Sequence, residues 1–447
     1  MATNTFMDTT ALDYQFKRIY GNKITDLFKR HTMTYNQFDK SPRKAQIRPG
    51  GAGYYFSTRQ KDVQGIRGQS ESAILPEPLS GDGVQGYIKP KLIYGVIRMT
   101  GLAIEAGKGD AAAFIDAQGD ATMNVYNALV EDLNRQCHGD GFGLLATVST
   151  AGTPDTDTAG TWTITFDNDR GVRYLKPGMV VDFHSSSTAM DTSATSERIV
   201  SINRATNVVT FEGGIDTYAA NHPVAAARDY NSTETAIAVG SICTRQGARL
   251  ATHATTDTAY ELAGLNALYD DGTAVAALHG ITTSSDPEWK ANLLTNSSVN
   301  RELSIDLMLA AVDMTAALAS GGGVDLIRMG LGQRRKYYAL LAPDIRFAPE
   351  VLKGGYGTLS FSQNGAIEML FDPMTQPNRM YFEPKGAIKK YELKALGWGG
   401  FDANKMHWRP DYDQATMFLN TYTELGCENR PSLTLLDDLV EPSNTPY

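Results

Sequence analysis

"GQSESAILPEPLSGDGVQG", residues Gly68–Gly86, is rich in Gly, Ser and Pro and holds no aromatic until the chain leaves it. Alone it reads as loop. Its flanks do not. "GYYFSTRQKDVQGI" runs into it and "YIKPKLIYGVIRM" runs out of it, both with the β-branched and aromatic residues that suit strands. Two strand-like arms of about 17 residues, at about 3.3 Å per residue, span roughly 55 Å. An isolated hairpin of two strands is marginal in water. The nearby sequence offers little to pack against such a ribbon, so the expected cover is a neighbouring copy of the chain. An element that reaches outward makes a head-to-tail contact, and repetition of that contact builds rings or lattices.

The 447 residues are enough for two or three domains with a sizeable core. The N-terminal "MATNTFMDTTALDYQ" lacks the basic-then-apolar pattern of a secretion signal, and no apolar stretch approaches a membrane span. Cys137, Cys243 and Cys427 are odd in number and far apart, which suits free thiols in a reducing compartment. The net charge of −9 argues against a general nucleic-acid binder. Residues 1–50 run the other way, with nine Lys/Arg against four Asp/Glu. Lys17, Arg18, Lys29, Arg30, Arg43 and Lys44 make this either a solvated basic face or a functional arm.

Along the chain, residues 10–31 predict an amphipathic helix on Leu12, Phe16, Ile19, Ile24 and Leu27. Residues 110–138 predict a long helix, about 28 residues and 42 Å at 1.5 Å each. One stripe comprises Phe114, Ala117, Ala121, Val125 and Ala128; beside it run Ile115, Tyr126, Leu129 and Leu133. "TAGTPDTDTAGT" (150–161) reads as a small-residue linker. After it, "TWTITFDN", "GMVVDFH" and "RIVSINRATNVVTFEGG" predict a small antiparallel β domain over 160–245 that folds alone, as an open sheet or a closed barrel. "NRELSIDLMLAAVDMTAALA" predicts a helix with Leu303, Leu307, Ala310, Met314 and Ala317 on its buried face. A buried strand in "GGGVDLIRMG" and a helix in "QRRKYYALLAPD" follow, and mostly strands from 358 onward.

Catalytic patterns fail on spacing. "GLAIEAGKGD" (101–110) has Gly where a phosphate loop needs Ser or Thr after the lysine. "GQSES" lacks the closing Gly of a nucleophile elbow, and "MGLGQRR" lacks the third Gly of a dinucleotide fingerprint. The seven histidines form no close ligand pair and no Cys-x-x-Cys exists, so no metal or cofactor is expected. Cys137, His138 and Asp140 are sequence neighbours at a helix end, a poor arrangement for converging on one substrate atom.

The order of these elements resembles the tailed-bacteriophage major capsid proteins of the HK-ninety-seven type, an α+β fold shared with herpesvirus floors and encapsulin shells. The resemblance implies an N-terminal arm at 1–50 and an extended E-loop at 51–101. It implies a peripheral (P) domain with a spine helix at 102–150, an axial (A) domain at 251–375, and returning P-domain strands at 376–447. The β segment at 151–250 is extra to that plan and reads as an insertion. Gln69, Ser70, Glu71, Pro76, Glu77, Pro78 and Asp82 would form the loop tip that touches a neighbour. Lys61, Lys89 and Lys91 sit in no recognisable motif, so no lysine cross-link is expected.

The resemblance further implies a non-enzymatic coat protein, self-associated in hexamers and pentamers around double-stranded DNA. Scaffolding, portal and decoration proteins would be separate partners, DNA contact non-specific and no membrane involved. Shells would assemble in the host cytoplasm and reside in the virion. An encapsulin-like compartment on the same fold is the alternative, separated by its cargo. A cytosolic hydrolase using Cys137, or His138 with Asp140, is the alternative from another class, and would show a saturable small-molecule site.

Overall fold

The structure is a computed structural model. It describes residues 33–48, 51–102 apart from 64, 72–73, 75–76 and 78–79, then 117–152, 161–184 apart from 169, 197–212 and 237–248. Further on it describes 259–318, 323–341, 360–362, 366–399, 407–408 and 413–442. The expected helix at 10–31, with Lys17, Arg18, Lys29 and Arg30, lies outside these residues. So do Phe114, Ile115, residues 103–110, Pro76 and Pro78.

A short helix α1 (Met33–Gln37) leads to β1 (Asp39–Lys40) and β2 (Gln46–Arg48). The opening stretch then resolves into β3 (Gly51–Lys61) and β4 (Asp82–Ile88), paired antiparallel from Tyr54↔Ile88 to Lys61↔Asp82. With β2 they form a three-stranded sheet. The expected second arm is two strands. After Lys89–Pro90 the chain starts β5 (Lys91–Thr100), which leaves the hairpin and pairs with a strand more than 300 residues later. Pro90 has no N–H, so the ladder cannot run through it. The paired hairpin is therefore about 23 Å long at 3.3 Å per residue, less than half the expected reach.

Helix α2 (Ala117–Gln136) is the spine. Ala121, Leu129 and Leu133 are buried and Val125 half-buried, whereas Ala128 and Tyr126 face outward, so only part of the expected striping is core. The following strands, β6 (Leu144–Thr150), β7 (Thr161–Phe166), β8 (Val180–His184), β9 (Glu197–Asn203), β10 (Val208–Glu212) and β11 (Ile242–Arg245), close into a barrel in the order β10-β7-β6-β11-β8-β9. Trp162, Phe166, Phe183 and Phe211 fill it, Trp162 and Phe211 stacked at 4.5 Å. The unit thus begins before residue 150, because β6 is an interior barrel strand between β7 and β11. A fragment over 160–245 lacks it and cannot close.

The barrel is also docked. Arg245 reaches Asp132 at 3.0 Å and Lys176 reaches Glu131 at 2.5 Å, both on α2. Tyr174 donates to the Met374 carbonyl at 2.6 Å.

Next come α3 (Leu265–Leu268), β12 (Ala277–Leu278), β13 (Ile281–Thr282) and β14 (Asn292–Leu294). Helix α4 (Ile305–Leu318), β15 (Leu326–Met329) and α5 (Leu331–Leu341) follow. The buried face of α4 carries Met308, Ala311, Val312 and Thr315, with Ala310 and Ala317 outside. The helix is apolar almost all round, so periodicity alone misplaces its face.

Strands β16 (Ser360–Ser362), β17 (Ala366–Phe371), β18 (Met380–Glu383), β19 (Ile388–Trp398), β20 (His407–Trp408), β21 (Gln414–Cys427) and β22 (Thr434–Leu436) complete the chain. A six-stranded sheet runs β14-β22-β18-β15-β17-β16 under α4. It takes in β18 and β22, so a boundary at 376 cuts through one sheet and one core containing Met380, Phe382 and Leu436. The other large sheet orders β1-β19-β21-β20, with β5 on the free side of β21. Its inner face lies on α2 through Ile93, Ile97, Met99, Met417 and Leu419.

Candidate assembly surface

The hairpin divides into a packed base and a bare end. At the base, Tyr54, Phe56 and Ile88 are buried with Ile281, Trp289 and Tyr391. Phe56 lies 5.8 Å from Trp289, and Tyr54 meets Tyr391 edge-on at 5.1 Å. Each such buried side chain contributes about 1.5–3 kcal/mol. The subunit therefore covers part of the ribbon itself, contrary to the expectation that it offers little.

Beyond Arg59 the cover ends. Gln69, Ser70, Glu71 and Glu77 are exposed, and Ile66 and Ile74 stand 95% and 87% exposed. Asp82, placed in the tip by the sequence, opens β4: its carboxylate accepts from the Gly83 N–H at 2.9 Å and lies 3.5 Å from the Lys61 ammonium. Both isoleucines lie on the loop that joins β3 to β4.

A second apolar surface lies on β5. "KLIYGVIRM" alternates about its pleat. Ile93, Ile97 and Met99 face the spine helix, while Leu92, Tyr94 and Val96 face away and are exposed. Across the sheet they are continued by half-buried Phe418 and Tyr422, the partners of Val96 and Leu92 in the ladder. A strand apolar on both faces belongs in a sheet covered on both faces, and the described residues cover one.

The cationic groups separate. Arg43 is bidentate to Glu428 at 2.6 Å for both bonds, and also reaches the Tyr55 carbonyl at 3.4 Å. Lys44 is exposed. Lys91, read as a loop lysine, is buried at the start of β5 and lies 3.9 Å from buried Glu424.

The Cys137, His138 and Asp140 neighbours do not converge. Burial pushes the Cys137 thiol up, away from thiolate. Asp140 accepts from the Phe142 N–H at 3.0 Å, closing a turn. His138 instead lies 3.4 Å from Asp372, which also accepts from the Thr34 hydroxyl at 2.6 Å and from Asn134 at 3.1 Å. Burial opposes ionisation of Asp372, but these donors hold its carboxyl well below the usual range. The cluster joins α1, α2 and the 372–378 loop. Among the described residues, no group of three or more His, Cys, Asp or Glu could hold a metal, and no helix is long and apolar enough to cross a membrane.

Sequence reasoning misses Arg430. Its guanidinium is fully buried and donates to the carbonyls of Ala267 at 3.0 Å, Leu268 at 3.2 Å and Trp289 at 3.3 Å. Burial pushes its pKa down to about 10, with Asp270 acting against that. It ties the hairpin's packing floor to α3. An arginine between Asn and Pro in a loop carries no signal of this.

No family model matches the sequence, and no curated protein matches it. Solved structures do match it. The capsid of cyanophage A-1(L) aligns over 95% of this chain and 97% of its own, with TM-score 0.54 and 11% identity. The capsid of a native GTA particle aligns over 97% and 99%, with TM-score 0.44 and 9% identity. A chain of Mycobacterium phage Bobi aligns over 96% and 98%, with TM-score 0.41 and 8% identity. On the cyanophage alignment, which covers 95% of the chain, this chain has the HK-ninety-seven type capsid fold.

Proposed function

We propose that this chain is the major coat protein of a tailed-phage shell, self-associating without catalysis into an icosahedral container for double-stranded DNA. One observation supports it above others: a chain with a capsid fold from end to end leaves its hairpin end and the outer face of β5 apolar and bare. Other copies, arranged as hexamers and pentamers, cover these surfaces. Each contact is modest, and closure of the lattice makes the sum strong.

In this reading the Leu144–Arg245 barrel is an inserted module that braces the spine helix. The basic segment before residue 50 meets a neighbouring subunit or a separate scaffolding protein. Portal and decoration proteins complete the particle, which forms in the host cytoplasm. The net negative charge keeps DNA contact non-specific.

Deletion of Gln69–Ser80 tests the reading. It spares the β3–β4 ladder, so the subunit folds. Electron microscopy should show shells from the unaltered chain and none from the deletion. Normal shells from the deletion would remove the loop from the mechanism.

A further inference from the structure

The end of the hairpin can meet a neighbour only if the base points it correctly, and the base is held in an unusual way. Strands β12 and β13 are joined by two residues, His279 and Gly280, with φ of 56° and 76°. Two left-handed residues in succession make the tight turn that suits a hairpin. The His279 carbonyl accepts from the Tyr87 N–H at 2.9 Å, outside any strand ladder. The Tyr87 ring lies against Gly280, where a Cβ would overlap it. On the opposite strand, the Phe56 ring fills the space left by Gly86, which likewise has no room for a Cβ. Phe56 in turn meets His279 edge-on at 6.3 Å. The turn is itself anchored, since the His279 Nε2 accepts from the Cys427 N–H at 3.4 Å.

On the exit side, Pro90 lies between β4, which pairs with β3, and β5, which pairs with β21. The ladder of the sheet that follows does not continue into the hairpin; that sheet meets the base through side-chain packing, with Tyr54 and Ile88 against Tyr391. We infer that the His279–Gly280 turn is the stop that sets the hairpin's direction, and that Gly280 and Tyr87 are positioning residues for assembly. The inference rests on the coat-protein reading for its consequence, but not for its geometry. With a lever of about 23 Å, a tilt of about 15° moves the far end by about 6 Å. That exceeds the reach of a side-chain contact, about 4–4.5 Å.

The three native cysteines are buried, so introduced thiols can be labelled selectively. Spin labels at Asp82→Cys and Asn429→Cys report the hairpin's direction in the full-length unassembled subunit. We expect one narrow distance in the parent. In Gly280→Ala we expect a shifted or broadened distance, and at least a tenfold loss of shells by electron microscopy. Tyr87→Ala empties the socket without overfilling it and keeps the backbone bond, so it tests the same point should Gly280→Ala fail to fold. It should broaden the distance with the thermal midpoint within a few degrees of the parent. An unchanged narrow distance in the folded variants overturns the inference, as does a broadened distance with normal shells. If the parent chain forms no shell at all, the coat-protein reading fails instead, and the distance measurement still decides the geometry.

Discussion

The base and the free end of the hairpin are carried by the same two strands, yet they obey different rules. At the base, aromatic rings meet glycines and other rings, and Phe56, Ile88 and Trp289 are lost from water. At the end, no described residue covers Ile66 or Ile74. Apolar residues occur in both places, so hydrophobicity does not distinguish them. The difference is what lies opposite: β12, β13 and the Trp289 segment for the base, no described part of the same chain for the end. In the proposed reading, the base belongs to the subunit's stability, and the end to contacts between subunits.

That contrast can be broken by substitutions, compared as unfolding free energies of the unassembled subunit. Arg430→Met leaves three buried carbonyls without their donor beneath the base. We expect a loss of about 4 kcal/mol in urea unfolding, since breaking a buried charged network costs roughly 3–5 kcal/mol. A loss below about 1 kcal/mol would mean the floor is not built on this side chain. Phe56→Ala removes a ring from the base cluster and should cost about 3 kcal/mol, the low end for buried Phe→Ala.

Acid should act on the base as well. Burial, with Arg430 and Lys91 nearby, pushes His279 down from 6.5 to about 3. Below pH 6.5 the unfolded chain takes a proton that the folded chain refuses, so stability falls as pH falls, until about pH 3. The slope is at most about 1.4 kcal/mol per pH unit, or about 2 kcal/mol lost at pH 5. His279→Asn, which tolerates a left-handed backbone, should flatten that slope between pH 6.5 and 4; an unaltered slope would assign the acid sensitivity elsewhere. Smallest of all, Ile66→Asp at the bare end should move subunit stability by no more than about 0.5 kcal/mol. The same change should abolish shells. A large loss of subunit stability instead would put Ile66 in the subunit's own packing and erase the contrast.

Much of this organisation was legible before any coordinates. The arms flanking Gly68–Gly86, the spine helix, the α4 and α5 helices and most barrel strands are local patterns, and local patterns survive as structure. What failed was pairing across distance. Lys91–Thr100 reads as the continuation of an arm because nothing in those residues announces a partner at 414–423. β22 pairs in parallel with β14 across about 140 residues, so the closing strands divide between two sheets instead of returning to one. β6 was separated from its barrel by a small-residue stretch that reads as a domain border. At the candidate surface, the polar end of the loop was visible from composition, but its apolar isoleucines become meaningful only once seen uncovered. His279–Gly280 did carry a signal, a turn dipeptide between short apolar runs, but Tyr87, its partner, is distant in sequence.

Hydrogen exchange across residues 65–71 and at Ile74, measured on the unassembled subunit and on the particle it forms, tests the central claim most directly. The amides should exchange at nearly unprotected rates in the free subunit and become at least tenfold slower in the particle, while Phe56 and Tyr87 at the base stay protected in both. Equal protection of the free end in both states would contradict the claim that another copy of the chain covers it.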